Sequence, residues 1–300
     1  MRLGVIGHTG YNELPDILRT LFRASPALDI ELVFERDLHE VAGAGARLET
    51  PDGIDALLTL GGDGTLLRGA RFLGARGVGG GGGEDRPVPI LGVNLGRLGF
   101  LTTCGTGDIE EALRLLASGE YEAEARMALT ASAVDEAGSN RQSWLALNDF
   151  VLHKGGFARV VRLAISVNGD SIGTYAADGV IISTPTGSTA YSLSAGGPVV
   201  VPTVESIILT PISAHTLAVR PLVIAPDAEI SIETSETVEE LLVTVDGQVG
   251  TKLVAGEKLV VRRAEHSVLI VRLPGDSFFE RMRVKLGWGG LPERDEPRQC

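Results

Sequence analysis

The sequence predicts an α/β domain followed by a mostly antiparallel all-β domain. Up to about residue 120, short apolar runs alternate with segments whose apolar residues recur at helical spacing. That alternation is typical of a parallel sheet connected by helices, so we expect the first domain to be Rossmann-like. Beyond about residue 126 the runs are short, rich in β-branched residues and separated by turn residues. A chain of 300 residues also exceeds what one hydrophobic core usually supports.

The elements of the first domain can be placed in order. Residues 3–6 are an apolar run that Gly7 ends, and residues 14–22 carry apolar side chains at helical spacing. Residues 29–34 and 54–60 predict two further strands, the second of which runs into a glycine turn and a helix start. Residues 89–102 predict a strand that leaves into a second glycine-rich turn, and residues 109–116 predict a helix that stops at Gly119.

The second domain is predicted from strands within residues 128–134, 143–152, 160–167 and 241–245. The change of pattern places the boundary near residues 122–128, which divides the chain into domains at 1–125 and 126–275. We expect the tail, 276–300, to return to the first domain. Residues 178–198 read as an apolar strand that delivers a long loop of hydroxyls, glycines and one aromatic ring. Such a loop offers donors, acceptors and a stacking surface to a ligand.

The turn after the third strand is the strongest chemical signal, and it consists of Gly61, Gly62, Asp63, Gly64 and Thr65. Glycines at a helix N-terminus present N–H groups to a phosphate. A carboxylate beside a phosphate costs repulsion, so Asp63 should hold Mg²⁺ or accept a proton from an attacking hydroxyl. The alternative interpretation is an ordinary strand-to-helix turn with an aspartate cap.

Composition limits the classes of partner. The net charge of −12 argues against nucleic acid or an anionic membrane. Two cysteines cannot build a disulfide framework, and no apolar window approaches a signal peptide or a membrane span, so we expect a cytoplasmic protein. The histidines lie too far apart for a zinc motif. The glycine run at residues 79–83 is either a lid or, as we prefer, a tolerated insertion.

Several motifs, in this order along the chain, resemble those of the bacterial NAD kinases. They lie at residues 61–65, 92–102, 146–149, 178–198, 209–212, 215–217, 220–223 and 246–248. The Gly-Gly-Asp-Gly turn is shared with lipid kinases and phosphofructokinases, whereas the segment 189–194 is typical of NAD kinases. The resemblance implies Mg²⁺-assisted (or other divalent cation) transfer of a phosphoryl group from ATP or polyphosphate to the adenosine ribose 2′-hydroxyl of NAD, giving NADP.

The resemblance also implies roles for individual residues. Asp63 would be the catalytic base, and Gly61, Gly62, Gly64 and Thr65 the turn facing the phosphate donor. The residues implied in NAD binding are Asp63, Gly64, Arg68, Asn148, Asp149, Arg159, Ala176, Asp178, Thr189, Ala190, Tyr191, Ser192, Leu193, Ser194 and Gln248. Ala176 stands where the family often has a basic residue, and residues 7–12 differ from the family's basic first turn. No dedicated set of protein ligands is implied for Mg²⁺, which would bind with the nucleotide.

Two alternatives remain open from the sequence. One is another kinase of the Gly-Gly-Asp-Gly superfamily, with a lipid or sugar-phosphate acceptor. The other is a non-catalytic sensor that binds NAD, although binding alone gains nothing from a carboxylate beside phosphates. The family is typically dimeric or tetrameric, and the apolar runs 199–202 and 207–211 look too hydrophobic for an open sheet edge. We therefore expect a homo-oligomer with NAD and ATP as its small-molecule substrates.

Overall fold

The computed structural model describes residues 1–74, 87–96, 99–155, 160–215, 219–234, 241–253 and 256–288. Its helices are α1 Leu14–Ala24, α2 Arg36–Ala42, α3 Asp63–Gly74, α4 Ile109–Ser118, α5 Tyr191–Ser194 and α6 Phe278–Leu286, with 3₁₀ turns at Ser25–Leu28, Thr106–Asp108 and Thr186–Thr189. Its strands are β1 Arg2–Gly7, β2 Glu31–Phe34, β3 Ala46–Arg47, β4 Ala56–Gly61, β5 Ile90–Asn94, β6 Cys104–Gly105, β7 Glu122–Arg126, β8 Leu129–Val134, β9 Asn140–Ala146, β10 Asp149–Lys154, β11 Val161–Val167, β12 Asp170–Ala177, β13 Gly179–Ser183, β14 Ile207–Ile212, β15 Leu222–Ile224, β16 Ile230–Thr234, β17 Leu241–Val245, β18 Val249–Leu253, β19 Lys258–Arg263 and β20 Val268–Arg272.

The first sheet is mixed but mainly parallel. Its strand order is β3-β2-β1-β4-β5-β20-β7, with β6 beside β5, and only the β20–β7 pair is antiparallel. Strand β4 is buried throughout and alternates between the two faces: Leu58 and Leu60 join the core under α1 and α4, whereas Leu57 joins the core under α3. Helices therefore cover both faces, as a parallel sheet requires.

The remaining strands form two six-stranded antiparallel sheets, with the orders β15-β14-β13-β10-β17-β18 and β12-β11-β16-β19-β8-β9. Side chains from both sheets share one core, for example Phe150 and Ile182 from the first and Leu163 and Leu259 from the second. The two sheets therefore pack face to face as a sandwich. The fold class predicted from the sequence, a parallel α/β sheet followed by antiparallel β structure, is confirmed.

Most predicted elements are present, with several differences. The sequence analysis missed α2 and β3, which are short and lie between two predicted strands. The run at residues 143–152 contains two strands separated at residues 147–148. The predicted loop after β13 contains a 3₁₀ turn and α5. Strand β14 lies inside its sheet, between β13 and β15, so burial within the chain accounts for the hydrophobic run at 207–211.

The C-terminal part of the described chain reaches the first sheet, because β20 pairs with β5 and α6 contacts the segment after β5. The domain limits drawn from the sequence stay a prediction. The glycine run 79–83, Arg97, Leu98, Arg159, residues 216–217 and the end of the tail at 289–300 lie outside the described residues. Among the described helices, none is long and apolar enough to cross a membrane.

Candidate active site

The glycine turn lies where the carboxyl ends of β4 and β5 meet. Gly61 pairs with Asn94 across these strands, and the Leu95 N–H donates to the Gly61 carbonyl at 3.2 Å. Helix α3 begins at Asp63, whose position at a helix start was expected from the sequence. The crevice at the carboxyl ends of parallel strands is where α/β sheets bind ligands.

The Asp63 carboxylate is held by the backbone of the second glycine-rich turn. The N–H of Phe100 donates to Oδ2 at 2.7 Å, and those of Leu101 and Thr102 donate to Oδ1 at 3.0 and 3.3 Å. A Cβ at Gly99 would lie 1.9 Å from Oδ1, so only glycine leaves room for the carboxylate. Because a carboxylate offers about four acceptor sites, one site on Oδ2 is left for a hydroxyl.

Two cavities lie in this part of the molecule, one on the β-sandwich and one that residues 62, 64 and 65 of the turn help to line. The first, which we call the sandwich cavity, has a volume of about 420 Å³ and is lined by Asn148, Asp149, Val151, His153, Lys154, Asp178, Ala190, Tyr191, Ile212, Thr244, Asp246 and Gly247. The second, the turn cavity, has a volume of about 590 Å³ and is lined by Gly7, His8, Thr9, Tyr11, Asp37, Gly62, Gly64, Thr65, Arg68 and Gln248. They adjoin at Gly247 and Gln248, consecutive residues that line one cavity each.

Asp246 organises the wall between the cavities. It occupies the left-handed region, with φ of 49°, and its carboxylate accepts the N–H groups of Leu147, Asn148 and Asp149 at 3.4, 2.7 and 3.3 Å. Its other partner is Arg71 of α3, whose Nη1 lies 2.9 Å from Oδ2. This carboxylate therefore fixes the backbone that presents Asn148 and Asp149 to the sandwich cavity.

Arg71 also binds the Gln248 side-chain carbonyl, and Gln248 Nε2 donates to the Gly64 carbonyl at 2.9 Å. The late turn at 246–248 is thus tied to the helix that Asp63 begins. Through these contacts the β-sandwich and the α/β part together build a single crevice.

The two neighbouring carboxyl groups differ in how readily they lose a proton. Asp149 is only 3% exposed, and burial together with the Asp246 carboxylate raises the pKa of Asp149 from 3.8 to about 7. Burial also raises the pKa of Asp246, but three N–H donors and Arg71 oppose that rise. Asp246 is therefore the better stabilised anion of the pair, and Asp149 is the group that holds the proton.

The sequence-predicted residues fall mainly into the two cavities. Asn148, Asp149, Asp178, Ala190 and Tyr191 line the sandwich cavity. Gly62, Gly64, Thr65, Arg68 and Gln248 line the turn cavity, and Gly61 is buried behind them. The Tyr191 side chain is 46% exposed, which leaves its ring available for stacking.

Two predicted charged residues have partners within the chain. Arg68 donates to both carboxylate oxygens of Glu35 at 2.8 Å and to the Gly7 carbonyl at 2.7 Å. A guanidinium has five N–H donors, so two remain for a ligand. Asp178 pairs with Lys154 Nζ at 2.6 Å inside the sandwich cavity.

The remaining predicted residues that the structure describes, Asp63 among them, do not line either cavity. Ser192 is buried with its hydroxyl 2.9 Å from that of Thr210, which gives it a packing role in α5. Thr189 donates to the Thr186 carbonyl at 3.4 Å, and Ala176 accepts the His215 N–H at 2.9 Å through its own carbonyl. Leu193 is half-buried and Ser194 exposed on α5.

The structure also assigns places to residues that the sequence analysis did not select. Lys154 and Asp246 line the sandwich cavity, and Arg71 joins the two halves of the crevice. Asp246 lies in a motif that was noted for Gln248, so the motif was an available signal. Nothing local marked Arg71, because its partners lie 175 and 177 residues away.

The sequence of this chain is similar to sequences of known proteins. The profile of the ATP-NAD kinase N-terminal domain matches residues 39–121, and that of the ATP-NAD kinase C-terminal domain matches residues 147–273. A protein of Gemmatimonas aurantiaca named NAD kinase is 56% identical over 295 residues, covering 98% of this chain and 99% of that protein. One of Geobacter metallireducens with the same name is 45% identical over 241 residues, covering 80% of this chain and 81% of that protein.

Solved structures agree with the sequence comparison. Yeast NADH kinase complexed with NADH superposes with a TM-score of 0.85 at 25% identity, covering 99% of this chain and 90% of that one. An NAD kinase from Archaeoglobus fulgidus in complex with ATP superposes with a TM-score of 0.70 at 26% identity, covering 96% of this chain and 98% of that one.

Proposed function

The chain belongs to the ATP-NAD kinase family, and from this premise we propose that it phosphorylates the 2′-hydroxyl of the adenosine ribose of NAD to give NADP. ATP is the proposed donor, with polyphosphate as a second possible donor. The similar structures were determined with NADH and with ATP, respectively. Two adjoining cavities suit a reaction in which a nucleotide donor transfers a phosphoryl group to a dinucleotide acceptor.

The observation that carries the proposal is the hydrogen-bonding environment of the Asp63 carboxylate. Its carboxylate is oriented by three backbone N–H groups, keeps one acceptor site, and lies beside Gly62 and Gly64 of the turn cavity. A ribose hydroxyl is a poor nucleophile at neutral pH, so a fixed acceptor both orients it and takes its proton. In the reaction, the hydroxyl oxygen forms a bond to the γ-phosphorus, the bond to the β,γ-bridging oxygen breaks, and ADP leaves.

The other site residues have proposed binding roles. Asn148, Asp149 and Asp178 would hold ribose hydroxyls and the nicotinamide side of NAD in the sandwich cavity, with Tyr191 offering a ring for stacking. The segment from Thr189 to Ser194 would line the adenine and nicotinamide pockets, and its buried Ser192 supports the shape of that segment. Arg68 and Arg159 would meet phosphates, for which Arg68 keeps two free donors.

The proposed cofactor is Mg²⁺ or another divalent cation bound with the nucleotide. Among the described residues, no three His, Cys, Asp or Glu side chains converge on one point. In this proposal the ion would reach the crevice on the phosphate oxygens. When bound there, Mg²⁺ neutralises charge on the β- and γ-phosphates.

We further propose a homo-oligomer, a dimer or a tetramer, in the cytoplasm. Support for assembly comes from the edge strand β15, where Leu222 and Val223 are 37% and 59% exposed, and from nearby Val204 at 52%. An exposed apolar edge strand favours pairing with another copy. Support for the cytoplasm comes from the low cysteine content.

The test is NADP formation by the purified chain with NAD, ATP and Mg²⁺, measured with an NADP-specific dehydrogenase. Asp63→Asn should lower kcat by about 10² to 10⁴, the usual value of general-base help, and change the KM for NAD by a few-fold at most. Glu265→Gln, an exposed acid far along the chain, serves as the matched control and should be neutral. NAD binding without NADP formation by the wild-type chain would favour the sensor.

The structure refines how this variant is interpreted. An Asn amide can accept the Leu101 and Thr102 N–H groups through its oxygen, but its NH₂ would face the Phe100 N–H, which needs an acceptor. Part of the loss in kcat would therefore come from a displaced turn. A variant with normal kcat and weakened NAD binding would make Asp63 a binding group and would contradict its role as base.

A further inference from the structure

The segment that orients Asp63 is itself anchored from outside the crevice. Thr102 gives its N–H to the Asp63 carboxylate, and its carbonyl accepts Arg281 Nη1 at 2.7 Å. The next residue, Thr103, donates its N–H to the Gly92 carbonyl of β5 at 3.0 Å. The peptide group between Thr102 and Thr103 is therefore bound at both its carbonyl and its N–H.

Arg281 comes from α6, 179 residues along the chain from Thr102, and is 5% exposed. Its Nη2 binds Asp276, which also accepts Arg272 Nε at 2.9 Å. Glu124 lies 3.5 Å from Arg272 and 2.8 Å from Arg126. These five residues bring three guanidinium groups together with two carboxylates, so the cluster has an excess of one positive charge.

A buried excess charge needs a counter-charge, because leaving a cation unpaired in the interior is costly. The Asp63 carboxylate contributes to it. Burial is the main cause that lowers the pKa of Arg281, and the Arg272 and Arg126 guanidinium groups add to it, whereas the Asp276 carboxylate and, more weakly, the Asp63 carboxylate raise it. Electrostatics and hydrogen bonding therefore link Arg281 to Asp63 through the same short segment of backbone.

We propose that Arg281 is a positioning residue for phosphoryl transfer, which acts by holding the Thr102 carbonyl so that the N–H groups of residues 100–102 keep Asp63 aimed at the acceptor hydroxyl. The inference rests on the proposed function of Asp63. Arg281 is not assigned any contact with substrate. Displacing a reacting group by about 1 Å can cost on the order of 10² in rate, so a distant anchor of this kind has a large effect.

The first test compares variants of α6. Arg281→Met removes both the charge and the donor, and should lower kcat about 10- to 100-fold while the KM for NAD stays within about threefold. Arg281→Lys lacks the planar fork that binds Thr102 and Asp276 together, so kcat should still fall. Because the lysine keeps the positive charge, this fall should be smaller than that of Arg281→Met. Arg283→Met, at an exposed position of the same helix, is the control and should leave kcat unchanged.

A double-mutant cycle separates positioning from general stability. If Arg281 acts through Asp63, adding Arg281→Met to Asp63→Asn should change the residual kcat less than about twofold. Losses that multiply in the double variant would show two independent effects and would overturn the proposal. The melting temperature of each variant is recorded, and Arg281→Lys replaces Arg281→Met in the cycle if the latter does not fold.

Hydrogen exchange decides the proposal without any activity measurement. In the substrate-free protein, Arg281→Met or Arg281→Lys should speed exchange of the amides at residues 100–102, and Arg283→Met should not. Unchanged exchange at these amides would overturn the proposal, even if the wild-type chain formed NADP normally. Faster exchange in the Arg281 variants, together with a wild-type chain that forms no NADP, would support the anchor and contradict the proposed function.

Discussion

The pH dependence of stability is the sharpest consequence of the buried carboxylate pair. Asp149 has a pKa of about 7 in the folded chain, against an ordinary value of 3.8. At a pH between these two pKa values, Asp149 keeps its proton in the folded state and has lost it in the unfolded state. The folded state therefore binds more protons, and the free energy of unfolding falls as pH rises.

The sign and size of this change in the free energy of unfolding follow from the two pKa values. The contribution of Asp149 is complete below the unfolded pKa, declines by about 1.4 kcal/mol per pH unit, and is lost once the pH passes the folded pKa near 7. Over the whole interval this amounts to about 4 kcal/mol, obtained from the difference between 7 and 3.8 at about 1.36 kcal/mol for each unit. Asp149→Asn keeps the shape of the side chain and removes this contribution.

The assay is urea unfolding of the wild type and Asp149→Asn at several pH values from about 5.5 to 8. We expect the free energy of unfolding of the variant, minus that of the wild type, to increase by about 2 kcal/mol between pH 5.5 and 7 and then to level off. Glu265→Gln is the control and should show no such trend. A difference that stays constant from pH 5.5 to 8 would refute the argument that burial and Asp246 keep Asp149 protonated.

Two further predictions concern the turn and the assembly. Gly99→Ala should lower kcat at least tenfold, because its Cβ would lie 1.9 Å from Asp63 Oδ1, whereas Gly107→Ala, with no atom within 4 Å, should be neutral; equal activities in the NADP assay would contradict this. The wild type should show a dimer or tetramer by light scattering at micromolar concentration, and Val223→Lys on β15 should weaken it; a fully active monomer would rule out a need for assembly.

Much of the local structure could be predicted from the sequence. Short apolar runs identified β1, β2, β4 and β5 of the first sheet, and helical spacing identified α1 and α4, because these patterns record which residues of an element are buried. Gly119 marks the end of α4 with a φ of 75°, where a glycine is favoured. Among the elements that were missed, α2 and β3 are too short to show a period.

The candidate site was predictable in its parts. The composition of the turn selected Asp63, and the family resemblance selected Asn148, Asp149 and Gln248, all of which lie in or beside the crevice. The resemblance also implied that Arg68 contacts a ligand and that Ser192 lines a pocket. In the structure Arg68 lines the turn cavity and also pairs with Glu35, whereas Ser192 packs against Thr210, and neither partner lies near in the chain.

The sequence by itself determined the fold class and the family, since local periodicity and short motifs carry both. The tertiary structure decided which backbone groups surround each carboxylate. The backbone partners of Asp63 lie 37 to 39 residues away, the backbone partners of Asp246 lie 97 to 99 residues away, and Arg281 reaches Thr102 across 179 residues. Such contacts depend on the order in which strands join the sheets, and no local period in the sequence records that order.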